Sequence, residues 1–397
     1  MLPEGWESTT LGEIMDFRNG LNFSKSDSKN LIKVVGVSDF SLGNVLSRTD
    51  SLKETYVDQF KDDDLLQEND FLFVRSNGNK SLIGRCLYFP HIPEPISFSG
   101  FTIRGRLKNP LISATYIFQI VAGEYFRKYI NLSGSGTNIS NLSQEILSNT
   151  PLILPPLPEQ KKIAAILSTW DRAIEGTEKL LANSQQQKKA LMQQLLTGKK
   201  RLPGFTGEWR DLKLKTFLQE SVIPSPQPNP RKRITVRLSL NGVEKREVRG
   251  TESIDATNYF TRKAGQFIYG KQNIHKGAFG IIPKILDGFE TSQDIPCFDF
   301  LPNVCPAWFF YYFARENIHH TLETKMTGTG SKRLNQKTFL NLTCHAPPIS
   351  EQQAIAAVLT TADAEITALE SDLSRLRQEK KALMQQLLTG RRRVTVD

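Results

Sequence analysis

Few groups of residues in this chain have the types and spacing of a catalytic site. Adenine methyltransferases carry a [DNS]-P-P-[YF] motif, but the Pro-Pro pairs at 155–156 and 347–348 are followed by Leu and Ile. Residues 77–81, NGNKS, resemble the end of a phosphate-binding loop, yet Asn79 stands where that loop requires Gly. The sequence therefore predicts neither methyl transfer nor nucleotide binding at these places.

The pattern for metal or nuclease chemistry is equally incomplete. His319 and His320 are adjacent, so they cannot face one metal ion from the same side of a helix. Residues 159–161, EQK, fit half of a nuclease signature, but their repeat at 351–353, EQQ, lacks the lysine. The Gly-containing segments at 134–144 and 328–336 are too sparse in glycine for a dinucleotide site and predict turns. We expect no catalytic residue, no metal ligand and no cofactor in this chain.

Basic and amide side chains cluster instead in two loops that could contact DNA. Arg, Asn and Gln have the geometry to contact base edges, whereas Lys suits phosphates. The first cluster follows the sequence DFLFV and contains Arg75, Ser76, Asn77, Asn79, Lys80 and Arg85. The second contains Tyr269, Lys271, Gln272, Asn273, His275 and Lys276. Strand-edge cations also simply solvate a surface, so each loop as a region is a stronger candidate than any one residue.

Other basic residues extend these candidates. They are Arg104, Arg106, the run 231–233, Lys332 and Arg333. The runs 199–201 and 391–393 are also basic and follow two predicted helices. Cations at a helix C-terminus favourably oppose the helix dipole, which is a sufficient reason for them, although they would also help to hold a DNA backbone.

Composition and charge set the broad class. A length of 397 residues predicts two or three domains, and the net charge of +10 favours a polyanionic partner. The N-terminus lacks a secretion signal, and no apolar run approaches the ~18 residues of a membrane span. Cys86, Cys297, Cys305 and Cys344 show no C-x-x-C pairing. We expect a soluble protein of the reducing cytoplasm with no membrane association.

An internal repeat organises the chain. The sequence KKALMQQLLTG occurs at 188–198 and again at 380–390, and residues 155–167 resemble 347–359 with the same offset. The regions before each copy differ, so the chain alternates between variable and constant parts. The predicted boundaries are a first recognition domain at 1–150, a central helix at 151–201, a second recognition domain at 202–345 and a C-terminal helix at 346–397.

Each constant segment has the apolar spacing of a coiled-coil helix, with alternating steps of four and three. The predicted packing residues are Ile163, Leu167, Ile174, Leu181, Leu191, Leu195, Ile355, Leu359, Ile366, Leu373, Leu383 and Leu387. Ser350 is the predicted N-cap of the second helix, and Gly198 and Gly390 are predicted left-handed C-caps. Because the two helices are nearly identical and each needs a partner, we expect them to pack antiparallel.

The predicted fold is α+β: two mixed α/β recognition domains separated by two long antiparallel coiled-coil helices, with pseudo-twofold symmetry. Such an arrangement suits duplex DNA, whose strands are themselves related by twofold axes. Two unlike domains would recognise two unlike half-sites, with a gap set by the helices.

The combination of PPLPEQKKIAAIL and KKALMQQLLTG, repeated after a second variable region, closely resembles the specificity subunits of type I restriction–modification enzymes. The resemblance covers nearly the whole chain, including the starts GWESTTLGEI and GEWRDLKL. It implies assembly with two modification subunits that methylate adenine, and with restriction subunits that cut DNA. It also implies that S-adenosylmethionine, ATP and Mg²⁺ belong to those partners.

Two other functions remain open from the sequence. A self-contained methyltransferase or nuclease with unrecognised motifs would turn over DNA by itself. A purely structural coiled-coil scaffold would show no sequence-dependent retention of DNA. The DNA specificity subunit is the leading prediction.

Overall fold

The computed structural model describes residues 2–22, 31–46, 48–56, 60–133, 141–248, 250, 258–328 and 331–396. The chain forms two compact units, one of residues 1–176 with 373–397 and one of residues 177–372. The first unit therefore combines the two ends of the chain.

The first unit contains nine strands and four complete helices among the described residues, and a long helix begins in it. Its strands are β1 (Glu7–Thr10), β2 (Met15–Asn19), β3 (Leu31–Val35), β4 (Lys53–Tyr56), β5 (Asp70–Val74), β6 (Cys86–Phe89), β7 (Ile96–Phe98), β8 (Thr102–Leu107) and β9 (Pro151–Leu154). Its helices are α1 (Leu11–Ile14), α2 (Ala114–Val121), α3 (Glu124–Ser133), α4 (Gln144–Ser148) and the start of α5 (Leu157–Leu195).

The second unit repeats this order with shorter strands. Its strands are β10 (Arg210–Lys213), β11 (Leu218–Glu220), β12 (Ile234–Val236), β13 (Val243–Lys245), β14 (Tyr259–Thr261), β15 (Phe267–Tyr269), β16 (Phe279–Ile281), β17 (Glu290–Ser292), β18 (Cys297–Phe300) and β19 (Thr343–Ala346). Its helices are α6 (Pro306–Phe313), α7 (Glu316–Thr324), α8 (Gln336–Leu340) and the start of α9 (Ile349–Leu387).

Each unit is built around a four-stranded antiparallel sheet of the same strand order. The order is β2-β8-β5-β6 in the first unit and β11-β18-β15-β16 in the second. The central strand β5 is buried on both faces: Phe71 and Phe73 pack against α2 and α3, whereas Leu72 and Val74 face a second cluster. A strand covered on both sides gives a continuous apolar run, which is the pattern of DFLFV.

A two-stranded antiparallel sheet ties the start of each domain to its long helix. Strand β1 pairs with β9, and β10 pairs with β19, so each pair lies directly before α5 or α9. The Trp6 indole donates to Glu159 in the first turn of α5 at 3.3 Å, and the Trp209 indole donates to Glu351 in the first turn of α9 at 3.2 Å. The similar sequences at the starts of the two domains therefore form the same strand pair and the same tryptophan–glutamate hydrogen bond.

Helices α5 and α9 are each 39 residues long, and they are packed together. All twelve predicted packing residues are buried or half-buried. Ile163, Leu167 and Leu387 belong to the core of the first unit. Leu195, Ile355 and Leu359 belong to the core of the second. The predicted α+β fold of two β-rich domains with two packed long helices is confirmed.

Charged pairs between the helices recur at the offset of the sequence repeat. In the first unit, Asp171 pairs with Lys380, and in the second Asp363 pairs with Lys188. Each lysine occupies a seam position that interrupts the apolar pattern, so the aspartate opposite it supplies the missing partner.

A second set of pairs closes the helix ends. In the first unit Glu159 at the start of α5 pairs with Arg393, which follows α9. In the second unit Glu351 at the start of α9 pairs with Arg201, which follows α5, at 2.6 Å. Together with the pairs near the middle of the helices, they show that the two helix segments of each unit run antiparallel.

The helix ends agree with the sequence at two of the three predicted positions. Gly198 and Gly390 both have φ of +71°, and a Cβ on Gly390 would lie 2.7 Å from Pro3. The predicted N-cap at Ser350 is wrong, because α9 begins one residue earlier at Ile349 and Ser350 lies within its first turn.

Replacing Leu167 with Ala should lower the free energy of unfolding by about 2–5 kcal/mol, because Leu167 is fully buried and a cavity would remain. The matched control is Leu180→Ala on the same helix, where the side chain is 57% exposed and the change should stay within about 0.5 kcal/mol. Urea denaturation of both variants measures the difference. Equal loss in the two variants would contradict the packing described.

Candidate nucleic-acid interface

Each unit presents one loop at the same place on its four-stranded sheet. The loop joins β5 to β6 in the first unit and β15 to β16 in the second. The amide of Leu142 donates to the carbonyl of Arg75 at 2.8 Å, and the amide of Leu334 donates to the carbonyl of Lys271 at 2.9 Å. Leu142 and Leu334 are related by the sequence repeat, so the two predicted loops are anchored in the same way.

The first loop is shaped by its own asparagines. The Asn77 side chain accepts a hydrogen bond from the Asn79 amide at 2.7 Å, and the Asn79 side chain accepts one from the Ser81 amide at 3.1 Å. The second bond caps the short 3₁₀ turn Lys80–Leu82. Asn79 and Lys80 are exposed, whereas Arg75, Ser76, Asn77 and Arg85 are half-buried. These side chains therefore project from a loop with a defined conformation.

The second loop is held by the hairpin of β12 and β13. In the described part of the first unit, no hairpin holds the first loop in this way. The amide of Ser239, at the tip between β12 and β13, donates to the Lys276 carbonyl at 2.8 Å. The next amide, of Leu240, donates to Gly277 at 3.1 Å. Lys276 is exposed, and Lys271, Gln272 and Asn273 are half-buried. The loop has different side chains and a different support from its counterpart.

Lys332 and Arg333 lie beside the second loop. Both are exposed, and Arg333 pairs with Asp294 at 3.3 Å, while the amide of Lys271 donates to the Asp294 carbonyl at 3.0 Å. The two Gly-containing segments that were predicted to form turns, 134–144 and 328–336, fall partly outside the described residues, at 134–140 and 329–330.

Arg104 and Arg106, predicted as DNA contacts, are used inside the first unit. Arg104 is 4% exposed and donates to the Asp63 carbonyl at 2.7 Å, and burial lowers the pKa of its guanidinium. Arg106 forms a bidentate pair with fully buried Asp70, at 2.7 and 2.8 Å. A basic residue on a strand points inward or outward according to the register, which the sequence alone does not give. In this fold these two arginines stabilise the sheet.

Tyr269 and Arg233 are also interior residues. Tyr269 is 0% exposed, its hydroxyl donates to the Leu334 carbonyl at 3.1 Å, and burial raises its pKa. Arg233 is 4% exposed and its guanidinium lies 4.4 Å from the centroid of the Tyr259 ring. Only Arg231 and Lys232 of that basic run are exposed.

The basic runs after the long helices are divided between two roles. Arg201 and Arg393 form the ion pairs that close the helix ends, as described above. The remaining cations are Lys199, Lys200, Arg391 and Arg392, of which the structure exposes all four.

Arg127 and His319 were not among the predicted DNA contacts, yet both lie against the loops. The Arg127 guanidinium donates to the Ser81 carbonyl at 2.8 Å. The His319 ring packs edge-on against Phe279, with ring centroids 5.9 Å apart. The two residues are separated by the offset of the repeat and occupy equivalent places on α3 and α7. The offset relates the two positions to each other, but only the fold places them against the loops.

The described part of the chain contains no group of three or more His, Cys, Asp or Glu side chains that could hold a metal ion. Within the same residues, no helix combines the length and apolarity that crossing a membrane requires. All four cysteines are free thiols, and burial raises the pKa of Cys297 and of Cys344 to about 12.

Comparison with known proteins identifies relatives across the chain. The family model for the type I restriction modification DNA specificity domain matches residues 3–183 and 234–376. The putative type I restriction enzyme MjaX specificity subunit of Methanocaldococcus jannaschii is 24% identical over 99% of this chain and 95% of that protein. The EcoKI specificity subunit of Escherichia coli is 23% identical over 89% of this chain and 81% of that protein.

Solved structures share the fold. The type I restriction-modification S subunit from M. genitalium has a TM-score of 0.58, with 13% identity and 96% of each chain covered. A structure from work on complex assembly and conformational transition of the type I system has a TM-score of 0.55, with 18% identity, covering 98% of this chain and 99% of that chain.

Replacing Arg106 with Ala should destabilise the protein by about 3 kcal/mol, because it leaves the Asp70 carboxylate buried without its partner. Lys80→Ala removes an exposed cation from the loop and should change stability by less than about 0.5 kcal/mol. Chemical denaturation distinguishes the two roles. If Arg106→Ala were as stable as Lys80→Ala, Arg106 would not be a structural residue.

Proposed function

The chain belongs to the DNA specificity subunits of type I restriction–modification systems, and we propose that its two units recognise the two unlike halves of an interrupted DNA target. As a specificity subunit it is a non-catalytic component of its complex. One observation carries the proposal. The same scaffold appears twice, and at the same place on each copy it presents a loop with different side chains.

The chemistry of the loops supports two different half-sites. The first loop offers Arg75, Asn77 and Asn79, and arginine and asparagine form bidentate hydrogen bonds with guanine and adenine, respectively. The second loop offers Gln272 and Asn273, together with Lys271 and Lys276. Two loops with such different donor patterns would not select the same base sequence. The exposed lysines suit phosphate contacts that set the position of each unit on the duplex.

The long helices are proposed to set the gap between the half-sites. Each of them contributes residues to both units, and 39 residues correspond to ~58 Å of continuous helix at 1.5 Å per residue. The domain boundaries at 1–150, 151–201, 202–345 and 346–397 are part of this proposal, with recognition assigned to the first and third segments.

Two equivalent grooves support docking of two copies of one partner, the modification subunit. The first groove, about 1030 Å³, lies between α9 and the α2–α3 turn and includes Tyr125, Lys381 and Met384. The second, about 510 Å³, lies between α5 and the α6–α7 turn and includes Lys189 and Met192. The lysines and methionines of the two grooves are related by the repeat. A duplicated surface on one chain suits a partner present twice.

Catalysis is assigned to the partners in this proposal. Modification subunits would bind S-adenosylmethionine and methylate adenine, and restriction subunits would use ATP and Mg²⁺. Because the target is genomic and invading DNA, the complex would act in the cytoplasm. Modification subunits that dock in the two grooves would leave both loops free to contact the duplex.

We predict that loop substitutions change one half of the target at a time. The variant Arg75→Ala/Asn77→Ala/Asn79→Ala should relax or alter one half-site, because it removes the candidate base-contacting groups and the loop-shaping hydrogen bonds of one loop only. The matched variant Gln272→Ala/Asn273→Ala should affect only the other half. The measurement is a genome-wide map of methylated adenine in cells that express each variant with its modification subunits, with copurification of those subunits as the control for assembly. Changes in both halves from either variant would contradict the proposal.

A further inference from the structure

Beside the first recognition loop lies a pair of arginines that have no counter-charge among the residues that the structure describes. Arg85 ends the loop that begins at Arg75, and Arg127 is on α3. The Nε atom of Arg85 is buried and has no hydrogen-bond partner among the described residues. The Arg85 guanidinium is therefore not fully hydrogen-bonded within the described chain, although the residue as a whole is only half-buried.

Close packing of the loop end on α3 places Arg85 and Arg127 on neighbouring segments of the chain. Gly84, with φ of +75°, lies so near α3 that a Cβ there would be 3.0 Å from Ile130 Cγ2. Ile130 is three residues after Arg127, on the same face of the helix. Arg127 donates to the Ser81 carbonyl at 2.8 Å, which fixes its side chain over the loop. Both arginines are therefore held by the backbone of the loop and helix.

No described residue of the unit balances the charge of this pair by a salt bridge. Among the described residues, neither Arg85 nor Arg127 forms a salt bridge. The adjacent sequence 134–140, GSGTNIS, contains no carboxylate. Burial, and secondly the charge of Arg85, lower the pKa of Arg127. Two cations that repel each other in this position would be stabilised by an anion that contacts both.

We propose that Arg85 and Arg127 together bind one phosphate of the DNA backbone when the first unit recognises its half-site. A phosphate has the charge and the several acceptor oxygens to accept hydrogen bonds from two guanidinium groups. Such a contact fixes the duplex on the loop without contributing sequence information. The proposal rests on the proposed function of the first unit and adds two named residues for backbone binding.

The second unit has a related pair at the equivalent place. His319 occupies the position of Arg127 on the next repeat, and it is close enough to His275 of the second loop for the two to interact electrostatically. His275 Nδ1 and His319 Nε2 are both buried without a partner among the described residues. Because burial lowers the pKa of His319, its imidazole carries little charge near neutral pH. The phosphate site is therefore assigned to the arginine pair alone.

The test uses the full chain with its modification subunits and a duplex that carries the target found by methylation mapping. A neutral methylphosphonate replaces each backbone phosphate in turn, and the dissociation constant is measured by fluorescence anisotropy. At one position the methylphosphonate should weaken DNA binding by the wild-type complex about tenfold. The Arg127→Ala complex should bind the unmodified duplex about tenfold more weakly than wild type. A methylphosphonate at that same position should not weaken its binding further. Its plot of log K against log salt should be shallower by about 0.9, the value for one phosphate.

Control variants distinguish the loss of a specific phosphate contact from the loss of positive charge elsewhere on the unit. Lys108→Ala removes an exposed cation after the opposite end of β8 and should keep the wild-type sensitivity at every phosphate. Arg85→Lys keeps the positive charge but replaces the planar guanidinium with an ammonium group, and it should reduce the sensitivity at the same position as Arg127→Ala. Unchanged sensitivity in both arginine variants would overturn the phosphate site. Failure of the wild-type complex to bind its mapped target at all would instead overturn the proposed function.

Discussion

The structure depends on one constraint: the glutamate in the first turn of each long helix is buried and must be paired. Glu159 is 5% exposed and Glu351 is 1% exposed. A buried carboxylate without a partner is strongly unfavourable. Each one is paired with an arginine that follows the other helix and with a tryptophan from the start of its own domain. One carboxylate thus joins three separate parts of the chain, and this explains why the first unit needs both ends of the polypeptide.

The same constraint explains the glutamine that follows each glutamate. Gln160 accepts from the Ser113 amide and donates to the Pro155 carbonyl, and Gln352 makes the corresponding bonds with Cys305 and Pro347. The Glu-Gln pair is therefore a junction between domain and helix. The constant segments carry the contacts that every copy of the scaffold needs, and the loops are left to vary. In the proposed function, sequence recognition and assembly are consequently assigned to different parts of one chain.

The repeat was enough to predict the long helices, their antiparallel pairing and the similarity of the two domains, because a fixed offset of residues produces a fixed offset of contacts. It also placed the two loops in equivalent positions. The directions of individual side chains were less predictable. Arg104 and Tyr269 belong to segments that look basic or polar in sequence, but strand register turns them into the interior. Lys188 and Lys380 interrupt the apolar pattern of the helix seam. The sequence pattern alone does not show that Asp363 and Asp171 lie opposite them. Arg127 lies on a short helix outside the constant segments, and only its position in space relates it to the first loop.

The central claim is that one polypeptide recognises two unlike half-sites by two copies of one scaffold. Its most direct test is the wild-type methylation target, determined by single-molecule sequencing of genomic DNA from cells that express this chain with its modification subunits. The account predicts a motif in two parts of different sequence, separated by a fixed number of unspecified base pairs, with one methylated adenine in each part. A single continuous motif, or two identical halves, would contradict it.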